Sequence, residues 1–178
     1  KIAFNRIIAV GPGGIYYSGV NFLGSWGIGT SWTKANNVGP MLEPSIHYNG
    51  SILVVAGESG MYYSTNGTNY TTTAIAAIDN TKRFTSMVRN TSGTYVAVGE
   101  DGICYRDDGV WYTTNVIDTD VRGSVCTDGS SFVTAGSGGI YYSSNGSSWT
   151  KATGVNSMSG AALHYNGSLW VAAGSSGI

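Results

Sequence analysis

Residues 131–152 read SFVTAGSGGIYYSSNGSSWTKA, and versions of this phrase return along the whole chain. Each version has a run of small or β-branched residues, a glycine-rich turn and then an apolar or aromatic run. The other copies are RIIAVGPGGIYYS from Arg6, ILVVAGESGMYYS from Ile52, TYVAVGEDGICYR from Thr94 and SLWVAAGSSGI from Ser168. Such recurrence is typical of repeat architectures, in which each unit buries its faces against its neighbours.

The spacing of the copies sets the size of one repeat. The apolar residue after the last glycine of each copy falls at Ile15, Met61, Ile103, Ile140 and Ile178, which places successive copies 46, 42, 37 and 38 residues apart. The repeats are residues 6–50, 51–93, 94–130 and 131–167, with a partial repeat at 168–178. About 40 residues rich in strand and turn signals is the size of one propeller blade.

Turn signals divide each repeat into short strands. Asn49-Gly50 and Asn166-Gly167 each lie between two apolar runs, a pattern that predicts a type I′ hairpin with positive φ at both positions. Residues 137–139 and Asn145-Gly146 mark two further turns, and no ten-residue stretch has helical periodicity. We therefore predict that residues 1–178 form one all-β domain, a β-propeller of four-stranded antiparallel blades.

The direction of the chain within a blade predicts which side chains are buried. If each blade runs from the channel to the rim, the SIHY-type strand is innermost and the SSWT-type strand outermost. The VVAG and VAVG strands are then covered on both faces by neighbouring blades, which explains their nearly unbroken apolar character. We expect the aromatic residue that begins each fourth strand to wedge between blades; these residues are Trp32, Tyr70, Trp111 and Trp149.

The turn between the third and fourth strands has a pattern of its own. It reads YYSTNGTNYTTT in residues 62–73, CYRDDGVWYTT in 104–114 and YYSSNGSSWTKA in 141–152. These segments resemble the Asp-box, or sialidase-type, repeats of β-propellers, in which a Ser, an acidic residue, a Gly and a Trp or Phe share this turn. The turn positions that carry the resemblance are Asn66, Gly67, Gly109, Asn145 and Gly146.

The chain departs from this family pattern in two ways. The turn is one residue shorter between the acidic position and the glycine, and Asn66 and Asn145 replace the acid, so that only Asp107 or Asp108 is acidic. In the family these turns are structural and lie away from the catalytic face, so the resemblance implies a fold and no particular activity. Related repeats occur in secreted bacterial proteins and in virion proteins.

Charge and hydropathy exclude several classes of partner. Nine Lys and Arg against ten Asp and Glu give a net charge of −1, without a basic run to follow a phosphate backbone, so we expect no nucleic-acid binding. No apolar stretch approaches ~20 residues, so we expect no membrane insertion. Only 11% of the residues are charged, which together with the resemblance favours an extracellular or virion-surface location.

The two ends of the chain carry overlapping parts of a blade. KIAF at the start corresponds to a first strand, and Ile178 corresponds to the beginning of a third strand. We therefore expect a fragment, or the ordered part, of a longer chain with five or more blades. Unpaired strand edges would then favour self-association or assembly into a larger complex.

Glu58 and Glu100 are candidate ligand-binding residues. Both lie in the turn after the second strand, on adjacent repeats, where a pair of carboxylates would also suit a glycoside hydrolase. Acidic residues in such turns are more often solvated spacers. Because no nucleophile elbow or phosphate-binding loop accompanies them, we assign no catalytic residue.

The inner strands place His47, Cys126 and His164 at equivalent positions, which raises the question of a zinc site. The repeats put these residues on separate blades, too far apart for metal–ligand distances of about 2.0 to 2.3 Å. We therefore predict no metal and no cofactor. We also expect Cys104 and Cys126 to be free, buried thiols, since no disulfide framework is evident.

A repeat-breaking insertion supplies the remaining candidates for ligand binding. Residues 19–29 read GVNFLGSWGIG and lengthen the turn between the third and fourth strands of the first repeat. Insertions in repeat proteins form loops on one face, and exposed aromatic residues there commonly contact a partner. Phe22 and Trp26 could bind a glycan or a neighbouring subunit, or form a small core within the loop.

These observations favour a non-enzymatic binding or structural propeller, such as a tail, fibre or spike component, that contacts a glycan or a protein surface. Two alternatives remain open. One is a lectin with a shallow site on each blade, since Tyr and Trp stack on sugars and the turns are nearly identical. The other is the truncated propeller of a sialidase-like glycoside hydrolase.

Overall fold

The computed structural model describes residues 2–3, 5–19, 31–58, 60–72, 83–117, 120–155 and 157–175, and every regular element in these ranges is a strand. The first eight strands are β1 (Ile2–Ala3), β2 (Arg6–Gly11), β3 (Gly14–Gly19), β4 (Thr33–Lys34), β5 (Ser45–Tyr48), β6 (Leu53–Gly57), β7 (Gly60–Ser64) and β8 (Thr71–Thr72). The next eight are β9 (Phe84–Arg89), β10 (Tyr95–Gly99), β11 (Gly102–Asp107), β12 (Val110–Ile117), β13 (Gly123–Thr127), β14 (Phe132–Gly136), β15 (Gly139–Ser143) and β16 (Thr150–Lys151). The last two are β17 (Ala162–Tyr165) and β18 (Trp170–Ala173).

The strands form one sheet per repeat, always in chain order. The sheets are β1-β2-β3-β4, β5-β6-β7-β8, β9-β10-β11-β12 and β13-β14-β15-β16, followed by the pair β17-β18, and all neighbours within them are antiparallel. We number these sheets as blades 1 to 5. The predicted fold class is confirmed: the chain is an all-β propeller with four-stranded blades.

The first strand of each blade lies nearest the propeller axis. Strands β5, β9, β13 and β17 pack successively against one another, and side chains link them directly. Ser45 Oγ accepts a hydrogen bond from the Met87 backbone N–H at 3.0 Å, and Ser86 Oγ accepts one from Val125 N–H at 3.2 Å. Because these serines occupy equivalent repeat positions, the same hydrogen bond recurs between successive blades.

The hydrophobic core lies between the blades. In β6, Leu53 and Val55 pack against blade 1, whereas Val54 and Ala56 pack against blade 3. Alternate side chains of a strand point to opposite faces of its sheet, so a strand that is covered on both faces is apolar throughout. All five residues of β6 and all five of β10 are buried.

The aromatic residues that begin the fourth strands pack against the preceding blade. Tyr70 joins the core between blades 1 and 2, Trp111 the core between blades 2 and 3, and Trp149 the core between blades 3 and 4. Trp32 differs from the expectation, because it is 42% exposed. Trp32 belongs to blade 1, the first blade in chain order, and no other blade in the described ranges packs over it.

The turns at the inner hairpins differ from the predicted type I′. Gly50 has φ of +98°, but Asn49 does not have positive φ, and its side chain closes the turn instead. Asn49 Oδ1 accepts hydrogen bonds from Ser51 N–H at 2.9 Å and Ile52 N–H at 2.7 Å. Asn166 forms the same pair of bonds with Ser168 and Leu169. The type I′ prediction was wrong because an Asn side chain can accept the bonds that a tighter backbone turn would make.

Cys104 and Cys126 are both free thiols. Cys104 is buried as expected, whereas Cys126 lies on the inner strand β13 and is partly exposed. Burial raises the pKa of the Cys104 thiol, so this side chain is uncharged near neutral pH.

In the described part of the chain, no helix has the length and apolar character needed to span a membrane.

Candidate functional site

An open cavity of about 520 Å³ lies where the innermost strands begin. Thr85 and Gly123 contribute from the starts of β9 and β13, and residues 159–161 contribute from the segment before β17. Glu43 lies two residues before β5. Its full lining is Glu43, Thr85, Asp120, Arg122, Gly123, Ser159, Gly160 and Ala161. Because residues at the entry to the inner strands of blades 2 to 5 all contribute, the cavity lies at one end of the propeller beside its axis, and we call it the mouth groove.

The linkers between blades position the mouth groove. In the linkers between blades 1 and 2, blades 3 and 4, and blades 4 and 5, a backbone N–H is donated to the carbonyl of the last glycine in the preceding blade's second strand. The donors are Met41 to Gly11 O, Val121 to Gly99 O and Met158 to Gly136 O. All three donor residues are buried, so these hydrogen bonds hold the linkers in place. The polar residues next to the donors are thereby positioned at the groove; they are Glu43, Asp120, Arg122 and Ser159.

Two arginines tie four carboxylates together beside the groove. Arg83 lies 3.9 Å from Glu43 and 3.7 Å from Glu58. Arg122 lies 3.7 Å from Glu100 and 2.7 Å from Asp120. The charges alternate along this arrangement, which we call the acid–arginine network. Such alternation limits repulsion among the carboxylates and leaves their remaining lone pairs available to a hydrogen-bonding partner.

Asp120 has the strongest partner in the network. Arg122 donates to both of its carboxylate oxygens, from Nε at 2.9 Å and from Nη2 at 2.7 Å, and its backbone N–H also donates at 2.9 Å. The guanidinium hydrogen bond lowers the pKa of Asp120 to about 2. Asp120 is therefore ionised at neutral pH, and Asp120 raises the pKa of Arg122 in turn.

The candidate residues from the sequence analysis do not form one site in the structure. Glu58 and Glu100 lie on adjacent blades at the same end of the propeller, but each pairs with an arginine, and they do not form an isolated pair of acids. Phe22 and Trp26 lie outside the described residues. His47 packs edge-on against Tyr95 of the next blade, with ring centroids 5.4 Å apart. The described ranges contain no cluster of three or more His, Cys, Asp or Glu side chains that could hold a metal.

Sequence reasoning missed Glu43, Asp120 and Arg122. These residues lie on the linkers between blades, where the repeats have little in common, so a search for repeated positions passes over them. A signal was present, because each lies within three residues of an inner strand, at the same end of the propeller. Charged residues are scarce in this chain, and their concentration before the inner strands was the observation that could have found the groove.

The turns between third and fourth strands form a second set of polar sites, at the outer rim. In blade 4, Ser143 Oγ accepts hydrogen bonds from the backbone N–H groups of Asn145 at 3.2 Å and Gly146 at 2.8 Å. Asn145 Oδ1 accepts from Ser147 and Ser148 N–H, both at 3.0 Å. We call this arrangement the Ser-Asn turn. The side-chain oxygens of Ser143 and Asn145 are therefore used within the turn.

Blade 2 repeats the Ser-Asn turn with nearly the same geometry. Ser64 Oγ accepts from Asn66 N–H at 3.3 Å and Gly67 N–H at 2.8 Å. Asn66 Oδ1 accepts from Thr68 and Asn69 N–H, both at 3.0 Å. Blade 3 has no such turn, because Arg106 stands at the serine position and Asp108-Gly109 makes a two-residue connection with φ of 45° and 84°.

An all-β chain with four-stranded blades, whose inner strands pack successively against one another, belongs to the β-propeller class. Comparison with solved structures finds similar propellers. An ancestral GH74 enzyme matches with a TM-score of 0.62 and 21% identity, over 84% of this chain and 22% of that enzyme. KlHsv2 with loop 6CD replaced by a Gly-Ser linker matches with a TM-score of 0.50 and 13% identity, over 97% of this chain and 68% of that one. No protein-family model and no curated protein sequence matches the chain.

Proposed function

We propose that this chain is a non-enzymatic β-propeller module that binds a polar partner, a glycan or a protein surface, at the mouth groove. The observation that carries the proposal is the acid–arginine network, because three of its members, Glu43, Asp120 and Arg122, line a cavity of about 520 Å³ with hydrogen-bonding groups of both charges. A surface of fixed, ionised groups suits recognition through hydrogen bonds. Low charge elsewhere supports a place on a secreted or virion-surface protein, such as a tail, fibre or spike component.

The low pKa of Asp120 makes this residue unsuitable as the general acid of a glycosidase at this groove. Glycoside hydrolysis needs a general acid whose pKa is raised, so that it still carries a proton when it reaches the leaving group. The pKa of Asp120 is shifted the other way, to about 2, by its hydrogen bond with Arg122. The likeness to an ancestral GH74 enzyme is a likeness of fold, and this chain spans less than a quarter of that enzyme's length.

The Ser-Asn turns support a second candidate, a lectin with a site on each blade. We propose that they are shortened Asp-box turns, since they place a Ser, an Asn, a Gly and an aromatic residue in the same hydrogen-bonded unit on blades 2 and 4. Several weak sites presented together gain avidity without any single strong contact. The geometry favours the mouth groove, however, because the polar groups of the Ser-Asn turns already bond one another.

A glycan-array screen of the chain and of R122Q tests the proposal. K34Q is the matched control, because it also removes one positive charge but lies on the exposed outer strand β4. We expect binding by the wild type and by K34Q, and at least a tenfold loss in R122Q, since removal of a charged hydrogen-bonding group from a contact costs about that much.

The other outcomes point to the alternatives. Binding that survives R122Q but is reduced in both N66A and N145A would overturn the mouth groove in favour of a lectin with sites on the blades. If the chain releases reducing ends from a bound glycan, and E58Q or E100Q abolishes this release, the proposal that the chain is not an enzyme would be overturned. If no glycan binds, and the wild type but not R122Q captures a protein partner, the result would support a groove that docks a protein.

A further inference from the structure

The outer turn of blade 3 is shorter than its counterparts, and the shortening has a structural consequence. Five residues lie between Ser143 and Trp149 in blade 4, whereas four lie between Arg106 and Trp111 in blade 3. The strands of blade 3 stay paired up to Asp107 and Val110, so Asp108-Gly109 makes a tight hairpin. The glycine of this turn therefore cannot reach the place that Gly146 occupies in blade 4.

Trp111 loses its hydrogen bond because of this change. In blade 4 the Trp149 Nε1–H donates to the Gly146 carbonyl oxygen at 2.8 Å. In blade 3 the Gly109 carbonyl instead accepts from Arg106 Nε at 3.2 Å. The Nε1 of Trp111 has no partner within the described part of the chain, although Trp111 is 1% exposed. A buried donor without an acceptor costs about 1 to 3 kcal/mol, so the site favours anything that brings an acceptor.

A cavity of about 160 Å³ lies where the missing turn would have packed. It is lined by Val54 and Tyr63 of blade 2 and by Arg106, Gly109 and Trp111 of blade 3. In blade 4 the equivalent space is filled: a Cβ built on Gly146 would lie 3.1 Å from Val96, the counterpart of Val54. A Cβ built on Gly109 would contact only Arg106, at 3.5 Å. The short turn thus holds the glycine away from the preceding blade.

The positive charge of Arg106 borders the cavity, and a second arginine, Arg89, lies on the same face of blade 3. Arg89, Tyr95, Arg106 and Trp111 are directly paired across the four strands of blade 3, so their side chains share one face of the sheet. The guanidinium carbons of Arg89 and Arg106 lie 5.6 and 5.7 Å from the centre of the Tyr95 ring. Neither arginine forms an ion pair with an acid in the described ranges.

We propose that this cavity, between blades 2 and 3 at the outer rim, binds a small carboxylate. Trp111 Nε1 has almost no accessible surface in the structure, so the atoms around it must shift slightly for one carboxylate oxygen to accept its N–H. The other oxygen would accept from the Arg106 guanidinium nitrogens that Gly109 does not engage. A planar carboxylate matches the fork of a guanidinium, and two arginines without acidic partners favour an anion over a neutral acceptor. The volume is about five times the 30 Å³ of one water, enough for a ligand the size of acetate.

The indole N–H of Trp111 provides a direct readout. Proton–nitrogen correlation spectra of the labelled protein resolve tryptophan indole signals, and W111F identifies the signal of Trp111 by its disappearance. Acetate is added at constant ionic strength, with chloride as the control anion. We expect a saturable downfield shift of the Trp111 signal with acetate and none with chloride, while the signal of Trp149, whose N–H is already bonded, stays in place.

Two variants decide whether the cavity is responsible. R106Q removes the guanidinium and is expected to weaken the acetate response at least tenfold, whereas R6Q, which removes an arginine above Tyr17 on blade 1, should leave it unchanged. Replacement of residues 106–110 by the SSNGSS of blade 4 restores the long turn and should abolish the response by filling the cavity.

A shift of equal size with chloride, or an unchanged response in R106Q or in the turn replacement, would overturn the proposal, as would no response to acetate at all. If R106Q lowers stability, the turn replacement keeps the test decisive, because it is expected to stabilise the fold while it removes binding.

Discussion

The indole Nε1 of Trp149 donates a hydrogen bond of 2.8 Å to the carbonyl oxygen of Gly146, three residues earlier. This bond connects the closing of the outer turn with the packing of Trp149 in the core between blades. Trp149 is buried against Val96 and Phe132 in the core between blades 3 and 4, and Gly146 closes the turn above it. The turn therefore anchors the aromatic side chain, and the aromatic side chain holds the turn against the preceding blade.

W149F should lower the free energy of unfolding by about 1 to 3 kcal/mol, because it leaves the Gly146 carbonyl without its donor in a buried place and removes part of the core contact. Urea denaturation followed by circular dichroism measures the loss. W32F is the matched control, since Trp32 is largely exposed, and should change stability by less than about 0.5 kcal/mol. Equal losses in both variants would contradict the role of the hydrogen bond.

S143A should destabilise the chain by about 1 to 3 kcal/mol. Ser143 Oγ accepts from the backbone N–H groups of Asn145 and Gly146, and the substitution leaves the buried Gly146 N–H without an acceptor. The neighbouring substitution S144A changes an exposed hydroxyl and should have little effect on the same unfolding curve. If S143A proves neutral, the Ser-Asn turn does not stabilise the rim.

G99A should be strongly destabilising, by about 1 to 3 kcal/mol or more. A Cβ at Gly99 would clash with the backbone oxygen of Arg83, on the linker that enters blade 3, and backbone cannot move aside cheaply. Gly11 occupies the same repeat position in blade 1, where a Cβ has nothing within 4 Å. Thermal unfolding of G99A and G11A should therefore separate the two, and a G11A protein as unstable as G99A would refute this account.

The stability of the chain should depend on pH through Asp120. Arg122 lowers the folded-state pKa of Asp120 from 3.8 to about 2, so the carboxylate stabilises the folded state above about pH 4, and this contribution is lost as the pH falls through about 2. D120N should lower the free energy of unfolding at neutral pH by roughly 1 kcal/mol, a small value because the side chain is 35% exposed and screened by solvent.

The pH dependence separates this effect from a general loss of packing. The difference between wild type and D120N should shrink as the pH is lowered from about 4 to about 2, because protonation removes the same charge from the wild type. In the background of R122Q, where the partner is gone, D120N should cost less. A difference that stays constant down to pH 2 would contradict the assignment.

The strands and their order could be predicted from the sequence because pairing within a blade is local. The apolar run in β6 and β10 indicated a strand covered on both faces, and both strands are buried throughout. Turn geometry was harder to predict. Asn49 was expected to adopt positive φ, but its side chain accepts the hydrogen bonds of the turn instead. A type I′ turn and a turn closed by the Asn side chain are both low in energy, and the Asn-Gly sequence is compatible with either.

The sequence by itself determined the repeat, the four-strand blade and the alternation of buried side chains, since these depend on hydrogen bonds and turns between residues close along the chain. Only the tertiary structure decided which polar groups meet. Arg83 pairs with Glu43 and Glu58 because successive blades are packed face to face. For the same reason Trp111 lies beside a cavity bordered by Val54, and no described residue accepts its indole N–H. That packing brings together linkers and turns whose sequences differ from one repeat to the next, and no pattern within a single repeat records it.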